Sequence, residues 1–135
     1  MILLDTNVCI AIMRDPTQSD KLVLILDDNG DAYAVISSVS LYELEMGVLG
    51  RLREKQARQS LIMLLNGPIR VEPLGDAAAR CGAQLSEAAR NRGQQMSALD
   101  ALIAGHALAL GATLVTNDAR LAAASVGELE VLNWH

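Results

Sequence analysis

The chain has 135 residues, half of them apolar and a fifth charged; this excludes a disordered chain and suffices for one domain, residues 1–135, whose core needs no disulfide staples. Tyr33, Tyr42 and Trp134 are its only aromatics, so stacking of single-stranded bases on an aromatic platform is nearly excluded as a binding mode. The net charge of −5 has the wrong sign for a phosphate-binding surface, so a nucleic-acid function requires a bound cation to reverse the local field.

Residues 2–5 read as a short buried strand that ends by presenting a carboxylate, Asp5, and residues 7–14 as a helix that stops near Asp15 and Pro16. An amphipathic helix over 18–28 closes on a turn-rich stretch around Gly30, and residues 33–36 form the second strand. Helices at 39–48 and 51–65 are broken around Gly47 and Gly50, and the second is ended by Asn66, Gly67 and Pro68. A third strand at 69–71 precedes helices at 75–92 and 97–110, a fourth strand at 113–116 and a fifth at 129–132. Strands that alternate with helices predict an α/β fold, a three-layer α/β/α sandwich around a mostly parallel central sheet of four to five strands.

In such sheets, ligands sit beyond the carboxyl ends of the strands, where the strand order reverses. Asp5 ends the first strand and Asp118 lies two residues past the fourth, so the two acids reach one rim if those strands are neighbours. Glu43 and Asp100 stand near helix starts. Each of the four has a local alternative. Asp5 and Asp118 can cap the helices that follow them. Residues 40–43 (SLYE) match a capping box, and residues 97–100 (SALD) have the spacing of a weaker one. Taken singly, capping accounts for Glu43 and Asp118; Asp100 is different, because residues 101–110 are almost wholly apolar and predict a buried helix in which a lone carboxylate is costly. If the four converge, their repulsion calls for a cation, and an all-oxygen set suits Mg²⁺ or Mn²⁺. That is hardware for metal-assisted phosphodiester hydrolysis.

At these residues the sequence resembles the PIN-domain family, and more narrowly the VapC-type toxins of toxin–antitoxin pairs. The matching stretches are LLDTN at the start, S-x-x-E-L-E-M-G around Glu43, LDALIAGHAL around Asp100, LVTND, and the closing LEVLNW. The resemblance spans nearly the whole chain and implies a metal-dependent endoribonuclease, often acting on transfer RNA and held inactive by a small antitoxin. It implies an acidic pocket of Asp5, Glu43, Asp100 and Asp118, with Asp5 and Asp100 as direct metal ligands. Thr6, Asn7 and Thr116 become the hydrogen-bonding groups that orient those carboxylates. The chain departs from many relatives in carrying Glu45 where they have a basic residue, and Ala119-Arg120-Leu121 where they have an aromatic.

Substrate grip falls to local basic residues. Arg51, Arg53, Lys55 and Arg58 are the densest group, with a solvated helix face as the alternative, and Arg14 is a further phosphate contact if it lies near the rim. His106 follows Asp100 by six residues, about 240° around a helix, so it reads as a core or interface histidine rather than a general base. Cys9 and Cys81, too few and too far apart for zinc even with His106 and His135, read as reduced core thiols in a soluble cytoplasmic protein. No run of about 18 apolar residues predicts a membrane span. A VapB-type antitoxin, RNA, a homodimer and a toxin–antitoxin hetero-oligomer are the expected partners. Two rival functions are an inactive co-repressor scaffold for a DNA-binding antitoxin, and a phosphotransfer domain or phosphatase with Asp5 as nucleophile. Asn7, standing where a second Asp is needed, argues against the last.

Overall fold

A computed structural model describes residues 1–118, 121 and 128–134. Its elements, in chain order, are β1 (Ile2–Leu4), α1 (Thr6–Arg14), α2 (Gln18–Asn29), β2 (Ala34–Ser37), α3 (Ser38–Val48), α4 (Glu54–Leu65), β3 (Ile69–Glu72), α5 (Asp76–Asn91), α6 (Ala98–Leu110), β4 (Thr113–Thr116) and β5 (Val131–Asn133). The predicted elements are therefore present, with two shifts. Residues 51–53 form a turn rather than the start of α4, and β5 begins two residues later than the pattern suggests, with Leu129 buried ahead of it.

The five strands are all parallel, in the order β3-β2-β1-β4-β5. The chain lays strands outward from β1 to β3, then returns through α5 and α6 to place β4 on the other flank of β1. The strand order thus reverses between β1 and β4, the seam where α/β sheets present ligands. Leu4 pairs with Val115, which brings the next residues, Asp5 and Thr116, side by side.

Alternation along the strands divides the core between two faces. Ile2, Leu4, Ala34 and Ile36 join residues of α1 to α4 and Trp134 on one face; Leu3, Val35 and Leu114 meet α6, Leu85 of α5, Leu121 and Leu129 on the other. The helices α5 and α6 interlock through their backbones. A methyl group added at Gly105 would lie 2.3 Å from the Gly82 nitrogen, and one at Gly82 would lie 3.1 Å from the Ala101 carbonyl oxygen. Helix α6 then closes on Gly111 in the left-handed region at φ 65°, where a glycine avoids the Cβ penalty. No helix among the described residues is long and apolar enough to cross a membrane.

Candidate functional site

Asp5 is the centre of the rim. The strand before it is buried, so Asp5 is carried in with it and is only 3% exposed. It is the N-cap of α1, with Oδ1 accepting from the Thr6 amide at 2.8 Å. Its other oxygen accepts from the Thr116 hydroxyl, also at 2.8 Å, across the β1–β4 seam. One oxygen therefore serves the helix cap while the other is held across the seam. Burial raises the Asp5 pKa above the ordinary aspartate value; the hydrogen bonds from Thr116 and Thr6 oppose the shift, and the negative charges of Asp100 and Glu43 add to it.

Glu43 does not belong to a capping box. Helix α3 begins at Ser38 and is capped by Ser37, whose hydroxyl accepts from the Val39 amide, so Glu43 lies in the second turn. Its Oε1 is instead 2.7 Å from the Thr6 hydroxyl, which also lies 3.0 Å from Ser40 Oγ. A threonine hydroxyl has one hydrogen. The shorter contact to a carboxylate takes it, leaving Thr6 to accept from Ser40. Ser40 is fully buried, a partner the sequence offered only as a cap; its signal was the SSVS run, in which two further serines compete for that role.

Asp100 is half-buried rather than enclosed. The buried side of α6 begins at Ala101; in the first turn, capped by Ser97 Oγ accepting from the Asp100 amide at 3.1 Å, Ala98 is exposed and Leu99 half-buried. The enclosed carboxylate expected at Asp100 is instead Asp5. Asp118 is tied to the same seam, since its amide donates to Thr116 Oγ1 at 3.0 Å while that hydroxyl donates to Asp5. Asp100 and Asp118 both line a cleft between the end of α5 and the start of α6; Asp5 and Glu43 do not line it.

Thr6 and Thr116 thus orient acidic groups, whereas Asn7 is exposed and no hydrogen bond from its side chain to them occurs among the described residues. Arg14 ends α1, roughly 13 Å along the helix from the end that holds Asp5. Arg51 and Arg53 are exposed around a shallow cavity at the α3–α4 turn, and Lys55 is exposed beside them. Arg58 is engaged with Glu45 at 2.7 Å, which makes Glu45 half of a partly exposed ion pair between α3 and α4. His106 is buried, with its pKa lowered by desolvation against an opposing pull from Glu72, as befits a core residue. Burial pushes the Cys9 thiol up to about 12, so it is inert, and Cys81 is only partly buried.

Among the described residues no three acidic, histidine or cysteine side chains form a ready-made metal cage. Mg²⁺ does not require one, because it is commonly held through one or two carboxylates with waters and substrate phosphate completing six positions. The donor set fits: Asp5 is a desolvated carboxylate facing two further negative charges, and a cation relieves all three.

A profile of the PIN domain matches residues 2–127. The chain is 36% identical over 121 residues to Ribonuclease VapC2 of Rickettsia felis, covering 86% of this chain and 85% of that protein. It is 32% identical over 135 residues to the tRNA(fMet)-specific endonuclease VapC of Shigella flexneri, covering 98% and 96%. In three dimensions it is similar to a chain in the crystal structure of VapBC2 from Rickettsia felis bound to a DNA fragment from its promoter, with a TM-score of 0.87 at 28% identity over the whole of both chains.

Proposed function

The chain belongs to the PIN-domain family, and on that premise we propose that it is an endoribonuclease toxin that hydrolyses RNA phosphodiester bonds with Mg²⁺ or Mn²⁺ and is neutralised by a small VapB-type antitoxin. The observation that most supports this reading is the buried Asp5 at the β1–β4 seam, bonded to Thr116 and facing the charges of Asp100 and Glu43. Asp5 and Asp100 are the residues that would hold the metal. When bound, a divalent ion neutralises phosphate charge and makes water a better nucleophile. Thr6 and Thr116 orient Asp5 and partly offset the cost of ionising it by donating to its two oxygens. Thr6 also fixes Oε1 of Glu43, which leaves Oε2 to orient the attacking water, and Asp118 assists from the β4 side. Water adds to phosphorus in line with the departing oxygen, one P–O ester bond breaks, and that oxygen leaves with a proton.

Purified protein freed of antitoxin is expected to cut total RNA only when Mg²⁺ or Mn²⁺ is supplied, and Asp5→Asn to lower the rate by at least about a hundredfold, the scale of losing one charge-stabilising group. Undiminished cleavage by that variant overturns the assignment. A co-repressor role beside a DNA-binding antitoxin is the second reading, favoured by the promoter DNA in the Rickettsia felis complex. With a net charge of −5, this chain leaves DNA contact to its partner. The exposed Tyr42 and Met46, one turn apart on α3, and Leu49 just past its end offer apolar surface to such a partner or to a second copy of the chain.

A further inference from the structure

We propose that the cleft between the end of α5 and the start of α6 reads an unpaired RNA base beside the bond to be cut, with Gln94 and Gln95 as the reading side chains. The inference rests on the ribonuclease reading above and extends it to the substrate. The cleft has a volume of about 880 Å³, towards the upper end of the roughly 300–1,000 Å³ typical of ligand sites. Asp100 and Asp118 belong to its lining, so anything bound in it lies against the acidic rim.

Among the described residues, the rest of the lining suits a base better than a phosphate. Arg90 is the single basic side chain among the described residues that line the cleft, and it is ion-paired with Glu87. The carboxylates of Asp100 and Asp118 repel any phosphate not bridged by a cation. Gln94 and Gln95 are exposed and uncharged, and each carboxamide carries donors and an acceptor, the complement of a base edge. Met96, half-buried and also part of the lining, supplies a polarisable apolar surface where the described lining has no aromatic.

The backbone leading into the glutamines is also pinned. The Gly93 amide donates to the Arg90 carbonyl at 3.0 Å and the Gln94 amide to the Ala89 carbonyl at 2.9 Å, with Gly93 at φ 71°. Ser97 caps the helix that follows. The loop is therefore a short bridge between two helices locked together at Gly82 and Gly105, which fixes where the two side chains start. In a duplex the pairing edges are already occupied, so a cleft that reads by hydrogen bonds admits loops and single strands and refuses stems.

The test is metal-supported cleavage of a pool of RNA hairpins with randomised loops, with the cut ends sequenced. Wild-type protein is expected to cut within loops, with a base preference at one position flanking the cut. The double variant Gln94→Ala/Gln95→Ala should flatten that preference about tenfold, the scale of one bidentate amide–base contact. Gln94→Glu/Gln95→Glu, which keeps the shape but removes the donors, should change which base is preferred. Efficient cutting inside stems overturns the proposal, as does an unaltered preference in either variant at an unchanged melting temperature. Wild-type protein that cuts no RNA sinks the ribonuclease reading itself, and this inference with it.

Discussion

On one face of the sheet, α1 to α4 are spaced by bulk, with Ile12, Leu22, Leu26, Leu44, Leu61 and Trp134 filling the gap. On the other, α5 and α6 cross so closely that Gly105 lies against the Gly82 backbone with no room for a methyl group. Large aliphatic side chains have alternative rotamers and can repack around a change, whereas backbone in contact with backbone cannot. The candidate site draws on both faces. Glu43 comes from the bulky side, Asp100 from the tight side, and Asp5 and Thr116 join them at the β1–β4 seam. The tight side fixes where Asp100 and the 93–97 loop stand; the bulky side supplies most of the apolar burial.

Opposite changes of volume on the two faces should separate these roles. Gly105→Ala is expected to destabilise by about 3 kcal/mol or more, because its new carbon meets main-chain atoms that have no rotamer to adopt. Leu61→Ala should cost about 2–5 kcal/mol through the cavity it leaves. Urea unfolding measures both. The comparison is decided by cleavage rate at a temperature where each variant remains folded. Separation of α5 from α6 moves Asp100, so kcat should fall in Gly105→Ala, whereas Leu61→Ala should keep it. Equal kcat in the two variants breaks the distinction.

A smaller effect is expected at the seam. Thr116→Val preserves shape but removes both the donor to Asp5 and the acceptor of the Asp118 amide, at a cost of about 1–3 kcal/mol for the buried groups left unpaired. The Thr116 hydrogen bond lowers the Asp5 pKa, so its loss raises that pKa further. Since the ionised form is the one that binds metal, the acid limb of kcat/KM against pH should move to higher pH. An acid limb that stays in place shows that Asp5 is not the group it reports.

The sheet, its five strands and most helix boundaries were legible because strands here are short apolar runs bounded by Gly, Pro and Asn, and because α6 closes on a glycine. The adjacency of β1 and β4 was not legible, since periodicity within an element says nothing about the flank on which a crossover lands. Asp100 looked buried because α6 is apolar on most sides, but the buried residues of that helix begin only at Ala101. Glu43 looked like a capping partner because Ser40 has the right spacing; the strand before it ends at Ser37, which takes the cap and pushes Glu43 into the helix. The Glu45–Arg58 pair spans two helices and has no periodic signature. Asp5 and Asp118 were located by their strand ends, and the threonine that joins them was visible only as part of a family resemblance.

The charge that both faces enclose should work in the opposite sense, so that removing it stabilises the fold. The folded protein raises the pKa of Asp5 above its unfolded value, chiefly by desolvation, so ionisation of Asp5 opposes folding. Below an aspartate's ordinary pKa of about 3.9 the side chain is protonated in both states and carries no penalty. As pH rises from there through the raised folded value, stability is lost. Asp5→Asn has no such titration. Its melting temperature in EDTA should therefore match wild type in acid and exceed it modestly at neutral pH, with the difference opening across that window. Mg²⁺ should narrow the gap by stabilising wild type, and should leave the variant unmoved. A variant less stable than wild type at neutral pH, or a difference independent of pH, means that the Thr6 and Thr116 hydrogen bonds outweigh burial, and that Asp5 is a structural cap rather than a carboxylate held ready for a cation.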